Sequence, residues 1–154
     1  MVELIPLERH HYPTLITIQQ QAEPFAVISP VAFGSLMDQR EGFTVRDRGE
    51  ILGCVSFSDH IPLLNIVIHA FVRPDRFGTW YNRTILRQMH AFPFEDLDLP
   101  RVTGLSIEGL TPKNDEVLLK CGFNLEGIMR HAVRIGGLLH NVRMYGLLRE
   151  ERRF

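Results

Sequence analysis

One short stretch constrains the fold of this chain more than any other. It begins at Thr111-Pro112, a helix-capping residue followed by the proline that a first helical turn tolerates. Gly122 ends that helix, because glycine readily adopts the left-handed conformation that closes a helix. Phe123 then opens a strand that carries Glu126-Gly127 and Arg130. The segment therefore predicts a helix followed directly by a strand.

Hydrophobic periodicity and turn residues predict the other elements. The predicted strands cover 2–5, 42–47, 50–58, 63–72, 101–107, 123–134 and 141–148, and the predicted helices cover 10–21, 30–40, 79–91 and 112–121. Helices between the later strands require crossovers beside a sheet, so the order indicates a mixed α/β (α+β) layer architecture. No repeat or linker interrupts it, which predicts a single domain over 1–154.

Composition narrows the class of protein. The chain has 154 residues, 23% of them charged, and a net charge of −1, so no global field attracts nucleic acid or an anionic membrane. The two cysteines, Cys54 and Cys121, form no disulfide framework, which favours a reducing compartment. No signal peptide and no apolar run of about 18 residues is visible. These features predict a cytoplasmic protein, or one packaged from the cytoplasm into a virion.

The segment 111–130 resembles the last third of the GCN5-related N-acetyltransferases, the GNAT superfamily. In that family a helix ends in a Gly-Phe step and the chain continues as a strand with Glu-Gly and Arg, as at Gly122, Phe123 and Glu126-Gly127 here. The element order is similar to the acyl-CoA N-acyltransferase fold, a twisted mixed sheet flanked by helices. The resemblance implies acetyl-CoA as co-substrate and an amine, either a small molecule or a protein N-terminus, as acceptor.

The resemblance also implies which residues would contact coenzyme A. Backbone amides on the strand 63–72 would hold the thioester, and the following turn would present amides to the pyrophosphate at a helix N-terminus. The helix from Pro112 would flank the pantetheine arm. The residues implied are Phe71, Val72, Phe77, Gly78, Thr79, Trp80, Tyr81, Thr111 and Asn114.

The pyrophosphate turn departs from the family pattern. Trp80 and Asn82 fall where the pattern has glycine or alanine, so a large side chain stands at a position where phosphates approach the backbone. Three interpretations stay open. The turn binds coenzyme A through altered geometry, with Gly78, Thr79 and Arg76 or Arg83 as donors; Trp80 stacks on something else or swings outward; or the indole plugs an eroded site.

Acetyl transfer to an amine needs a base and an acid. His69 is the first candidate for the base, because its ordinary pKa suits proton abstraction near neutrality. Asp59 and His60 are the second choice, and a structural role for each is the alternative. The family's acid is often a tyrosine in the helix 112–121, which has none here, so Tyr145 is the candidate acid, with packing as its alternative role.

A second class of function stays open beside the enzyme. The altered turn and the missing tyrosine are similar to those of phage head-assembly and internal virion proteins that keep this fold without catalysis. Such a protein would bind a second copy of itself or a virion partner, and a coenzyme A sensor without turnover is a further alternative. The dispersed histidines lack metal-ligand spacing, so no metal site is predicted.

Overall fold

The computed structural model describes residues 1–26 and 28–154. The strands are β1 (Val2–Pro6), β2 (Glu41–Asp47), β3 (Glu50–Ile61), β4 (Asn65–Val72), β5 (Arg101–Ile107), β6 (Asn124–Ile135) and β7 (Leu138–Leu148). The helices are α1 (Tyr12–Ala22), α2 (Pro30–Asp38), α3 (Arg83–Ala91) and α4 (Pro112–Lys120). Every predicted strand and helix has a counterpart here, with some different ends.

The strands form one mixed sheet in the order β1-β2-β3-β4-β5-β7-β6. The pairs β1–β2, β2–β3, β5–β7 and β6–β7 are antiparallel, and β4–β5 is parallel. The parallel pair requires a crossover between the two strands, and α3 lies in that connection. Its ladder consists of Val67↔Thr103 and Ile68↔Gly104. The predicted mixed α and β architecture is confirmed.

The chain divides into two compact units. The first unit comprises Met1–Ser58 and His69–Met89, and the second comprises Asp59–Ile68 and His90–Phe154. The single domain over 1–154 stays a prediction. In the part of the chain that the structure describes, no helix is long and apolar enough to cross a membrane.

The core of the first unit joins α1 and α2 to strands of the sheet. Pro13 lies in the first turn of α1, and the Ser29 hydroxyl caps α2 by accepting a hydrogen bond from the Ala32 amide at 3.2 Å. Both helix openings were predicted from these residues. The core cluster consists of Leu15, Ile16, Ile18, Phe33, Met37, Cys54 and Phe71.

Two glycines shape the strands of the first unit. Gly49, with a φ of 81°, follows Arg48, with a φ of 51°, in the hairpin between β2 and β3. Two successive positive φ values suit a tight two-residue turn, so the predicted hairpin is confirmed. At Gly53 a Cβ would lie 2.1 Å from the Phe71 carbonyl oxygen, so only glycine permits β4 to approach β3 this closely.

Several predicted boundaries were wrong, including the start of β7, which lies at Leu138 and not at residue 141. β3 continues to Ile61 and β4 begins only at Asn65, so the apolar pair Leu63-Leu64 lies in an exposed turn instead of the strand. Hydrophobicity alone could not separate the turn from the strand. α3 begins at Arg83 and not at Thr79, because Asn82 caps it. The π-helical turn Phe92–Asp96 was not predicted.

The second unit contains the segment that most constrained the fold. Gly122 has a φ of 95°, and the Phe123 amide donates to the Leu118 carbonyl at 3.0 Å, which closes the end of α4. The chain then enters β6 at Asn124. β6 and β7 form a hairpin through Gly136-Gly137, as predicted.

Candidate functional site

The turn between β4 and α3 belongs to the first unit, and several of its backbone groups form hydrogen bonds within the turn. Pro74–Arg76 is a short 3-10 helix. The Arg76 amide donates to the Arg73 carbonyl at 3.0 Å, and the Thr79 amide donates to the Arg76 carbonyl at 3.0 Å. The Thr79 hydroxyl also donates to the Arg76 carbonyl, at 3.3 Å. The Thr79 amide, one of the predicted phosphate donors, is therefore already bonded within the turn.

Trp80 lies inside the first unit. Its side chain is 1% exposed, and its ring packs edge-on against Tyr81 with centroids 5.2 Å apart. Among the described residues the indole Nε1 has no hydrogen-bond partner. The alternative in which Trp80 swings outward is therefore wrong.

The outer surface of the turn is open at Gly78. A Cβ built on this glycine would meet no atom within 4 Å, so the buried indole does not cover it. Gly78 and Thr79 are both exposed. The backbone at Gly78 is thus the part of the turn that a ligand could approach most closely.

Asn82 occupies the end of α3 where an anion would bind. Its side-chain Oδ1 accepts the Ile85 amide at 3.0 Å, and its carbonyl accepts the Leu86 amide at 2.9 Å. A helix N-terminus offers only a few unpaired N–H donors. The asparagine that replaces a small residue therefore takes one of them for itself.

Carboxylates neutralise two of the arginines near the turn. Arg73 pairs with Glu50 and with Asp75, and the latter contact is 2.7 Å. Arg76 pairs with Asp47 at 2.8 Å. The Met1 ammonium and Arg76 together lower the pKa of Asp47 to about 2. Arg83, at the start of α3, is exposed and makes no ion pair among the described residues, which leaves it as the available cation.

The amides of Phe71 and Val72 point to opposite edges of β4. The Arg73 amide donates to the Leu52 carbonyl of β3 at 2.8 Å. N–H groups alternate sides along a strand, so the Phe71 amide also faces β3 and the Val72 amide faces the other edge. Val72 is therefore the candidate donor to a thioester. Phe71 instead supplies its ring to the core, 6.4 Å from that of Phe33.

His69 makes a short hydrogen bond in the first unit. The Ser58 hydroxyl oxygen lies 2.6 Å from His69 Nε2, and both residues are half-buried. The second-choice bases, Asp59 and His60, are exposed residues of the second unit. Ser58 was missed because a serine on a strand carries no sequence signal of a histidine partner.

The two predicted pantetheine contacts lie at the start of α4, in the second unit. The Thr111 hydroxyl accepts the Ile107 amide at 2.7 Å and does not cap α4, although Thr111 occupies the N-cap position. The predicted side-chain cap is wrong, because the Thr111 hydroxyl bonds instead to the Ile107 amide at the end of β5. Asn114 is half-buried, with its amide bonded to the Thr111 carbonyl.

Tyr145 belongs to a polar cluster of the second unit. It is 3% exposed, and its hydroxyl donates to Asp115 at 2.5 Å. Burial and then Asp115 raise the pKa of Tyr145. Ser106 also donates to Asp115, at 2.7 Å. Leu118, on the helix where the family often has tyrosine, instead packs over Gly104, with Cδ2 2.4 Å from where a Cβ would lie.

Other groups in the described residues do not extend the candidate site. In the first unit, an open groove of about 1030 Å³ runs between α1, the β2–β3 turn and Arg73–Asp75, but none of the predicted site residues lines it. No three histidine, cysteine or acidic side chains among the described residues lie close enough to hold a metal ion. The candidate chemistry therefore rests on the turn, on His69 and on the Tyr145 cluster.

The strand order and the crossover through α3 define an acyl-CoA N-acyltransferase topology, and solved structures agree. No protein-family model and no curated protein matches this chain. A point mutant of the spermidine N-acetyltransferase SpeG from Vibrio cholerae is 18% identical, with a TM-score of 0.79 over 97% of this chain and 94% of that chain. A chimera of SpeG from Vibrio cholerae and hSSAT is 20% identical, with a TM-score of 0.78 over 97% and 96%.

A third solved structure, described as a "probable acetyltransferase", is 19% identical, with a TM-score of 0.81 over 97% of this chain and 94% of that chain. At such low identities the likeness concerns the fold. The chain therefore has the fold of the GNAT acetyltransferases, and the fold prediction is confirmed.

Proposed function

We propose that this chain is an acetyl-CoA-dependent N-acetyltransferase that transfers an acetyl group to an amine by direct attack. The resembled structures are acetyltransferases, and two of them derive from a spermidine N-acetyltransferase. This supports a small amine as acceptor, and a protein N-terminus is the alternative. The observation that carries the proposal is the open backbone at Gly78, next to the first turn of α3 and Arg83. Two buried, unpaired cysteines fit action in the reducing cytoplasm.

The residues near the turn suit an anionic co-substrate. Acetyl-CoA, when bound, supplies the activated acetyl group. The Gly78 amide, the start of α3 and Arg83 would hold the pyrophosphate, since unpaired amides and a guanidinium both favour phosphate oxygens. The Val72 amide would stabilise negative charge on the thioester oxygen. Phe77, Thr79, Trp80 and Tyr81 support the turn, and Thr111 and Asn114 flank the pantetheine arm.

Two side chains carry the proton transfers in this proposal. His69 would accept a proton from the acceptor amine. Tyr145 would act as the acid that returns a proton to the coenzyme A thiolate released when the thioester bond breaks, and its raised pKa keeps the hydroxyl protonated at neutral pH, as an acid requires. The Tyr145 hydroxyl donates a hydrogen bond to the Asp115 carboxylate, so this hydrogen bond would have to break before the proton is transferred.

A non-catalytic assembly protein is the second candidate, and a specific observation favours it. Asn82 caps the α3 amides, and acidic residues neutralise both Arg73 and Arg76. A turn whose backbone donors and arginines already have partners within the chain leaves fewer groups to bind a pyrophosphate. Under this alternative the chain would bind a second copy of itself or a virion protein, with the fold inherited and the cofactor site eroded.

Calorimetric titration of acetyl-CoA into the purified chain tests the proposal. Arg83→Ala removes the available cation at the start of α3, and Arg87→Ala, one turn further along the same exposed helix face, is the matched control. We expect micromolar binding by the native chain, about tenfold weaker binding after Arg83→Ala, and little change after Arg87→Ala, because charge-assisted bonds to phosphate contribute about 1.5–3 kcal/mol.

Two further results separate the candidates. Acetylation of any amine in a panel of polyamines and peptide N-termini, measured by mass spectrometry, would support the enzyme. Absence of binding by the native chain would overturn it. Binding that appears only after Asn82→Gly or Trp80→Gly would then support an eroded site on an inherited fold.

A further inference from the structure

The pair formed by Ser58 and His69 has the geometry of a fixed hydrogen bond. It joins β3 to β4, and its length of 2.6 Å is at the short end for a hydroxyl and a ring nitrogen. The two half-buried side chains extend from neighbouring strands, which have limited freedom to separate. The contact therefore fixes the direction of the imidazole ring more firmly than a surface loop could.

A hydroxyl is suited to both charge states of a histidine. It accepts from Nε2–H in the neutral ring that carries its proton on Nε2, and it accepts from the same N–H when the ring is charged. The bond to the charged ring is the stronger one, because hydrogen bonds to ionised groups exceed neutral ones. Ser58 would therefore favour the imidazolium that proton abstraction creates.

The strand face that carries Ser58 also contacts a charged side chain. Side chains two residues apart on a strand share a face, so Ser56 lies on the face of Ser58. Arg40, from the α2–β2 connection, donates to the Ser56 hydroxyl at 3.4 Å. Burial raises the pKa of Glu23, at the end of α1, and the charge of the same guanidinium opposes that rise. Arg40 is thus a charged group that contacts this face, and Glu23 is a charged group within its electrostatic reach.

We propose that Ser58 is a positioning residue for His69: its hydroxyl accepts a hydrogen bond from Nε2–H and orients the ring so that Nδ1 accepts the proton of the acceptor amine. This inference rests on the proposed acetyltransferase function, in which His69 is the base. Ser58 itself takes no part in bond making. Asp59, which follows it within β3, has a φ of 54°, a left-handed conformation that aspartate tolerates and that interrupts the regular backbone of the strand directly after Ser58.

The test combines a ring titration with kinetics. Nitrogen-15 NMR of the His69 ring is followed against pH in the native chain and in Ser58→Ala, Ser58→Thr and Ser56→Ala. Ser56→Ala is the matched control, since it removes a hydroxyl two residues earlier on the same strand face, one that accepts from Arg40. We expect Ser58→Ala to lower the pKa of His69 by about 0.5 unit or more, a threefold loss of proton affinity, while the other two variants keep it.

The pH profile of kcat/KM gives the second readout. The acid limb should move with the ring titration in Ser58→Ala and return in Ser58→Thr, which a merely structural role would not produce. If the native chain transfers acetyl groups but Ser58→Ala leaves the ring titration in place, the positioning role is overturned and the enzyme stands. If the native chain transfers none, the proposed function fails, and the role of Ser58 fails with it.

Discussion

The turn Arg73–Asn82 and the segment Thr111–Gly127 differ in how their sequences relate to the family pattern. In the segment, residues that fit the pattern have structural tasks: Gly122 closes α4, and Glu126 pairs with Arg101 at 2.6 Å. In the turn, residues that depart from the pattern also have structural tasks, because Trp80 fills the interior and Asn82 caps α3.

A retained motif and a lost motif therefore carry unequal information about function. Gly122, Phe123 and Glu126 would be kept by a catalyst and by a non-catalytic relative alike, since each stabilises the second unit. In the proposed function, the turn is the segment that would contact a pyrophosphate. Fold similarity alone does not decide function, so the turn is the region where experiments discriminate.

Truncation of Trp80 should have the largest effect. Trp80→Ala removes a side chain that is 1% exposed, and we expect it to lower the free energy of unfolding by about 3–5 kcal/mol, as other buried aromatic truncations do. Urea denaturation measures the change, and Trp80→Phe should recover part of it. A loss below about 1 kcal/mol would mean that the indole fills ligand space and not the core.

The buried side chain of His90 allows a test of the packing in the second unit. His90 is 2% exposed, its ring nitrogens have no partner among the described residues, and its ring centroid lies 6.4 Å from that of Phe123. Burial, and secondly the charge of Arg152, lower the pKa of His90 from 6.5 to about 4. The folded chain therefore keeps this ring neutral where the unfolded chain binds a proton.

The lowered pKa of His90 in the folded chain determines how stability depends on pH. Between pH 6.5 and 4 the unfolded state takes up a proton that the folded state does not, so stability falls as the pH falls. The full contribution is about 3 kcal/mol. Urea denaturation at several pH values, for the native chain and for His90→Leu, isolates this contribution from that of the carboxylates. Parallel curves for the two proteins would contradict the assignment.

Loss of the Asn82 cap should have a smaller effect. Asn82→Ala leaves the Ile85 amide without its 3.0 Å partner, and we expect about 1 kcal/mol less stability. Asn82→Asp retains an acceptor and should stay near the native value in thermal unfolding. Equal losses in both variants would show that Asn82 acts through another contact.

The smallest predicted effect concerns Gly146. A Cβ there would lie 2.4 Å from the Glu126 carboxylate, which pairs with Arg101. Gly146→Ala should displace this flexible side chain, weaken the partly exposed ion pair and cost about 0.5 kcal/mol. Gly127→Ala, where a Cβ would meet no atom within 4 Å, is the matched control for denaturation. A larger loss at Gly127 would contradict the interpretation.

Local signals in the sequence predicted most of the fold. Ser29 and Pro30 marked the start of α2, Gly49 after Arg48 marked the hairpin, and Gly122 marked the end of α4, because serine, proline and glycine each favour these backbone positions wherever they occur. The strand 101–107 was predicted with the observed ends. Errors occurred where apolar residues continued through a turn, at Leu63-Leu64, or where a cap shortened a helix, at Asn82.

The candidate site was less predictable, because its properties depend on partners that are distant in sequence. The residue types on β4, on the turn and on α4 are visible in the sequence, and they were enough to predict the fold and the candidate residues. The burial of Trp80, the ion pair of Asp47 with Arg76 and the hydrogen bond of Ser58 with His69 became visible in the tertiary structure alone. Burial and hydrogen bonding arise when the sheet brings separate strands together, and no local pattern encodes those meetings.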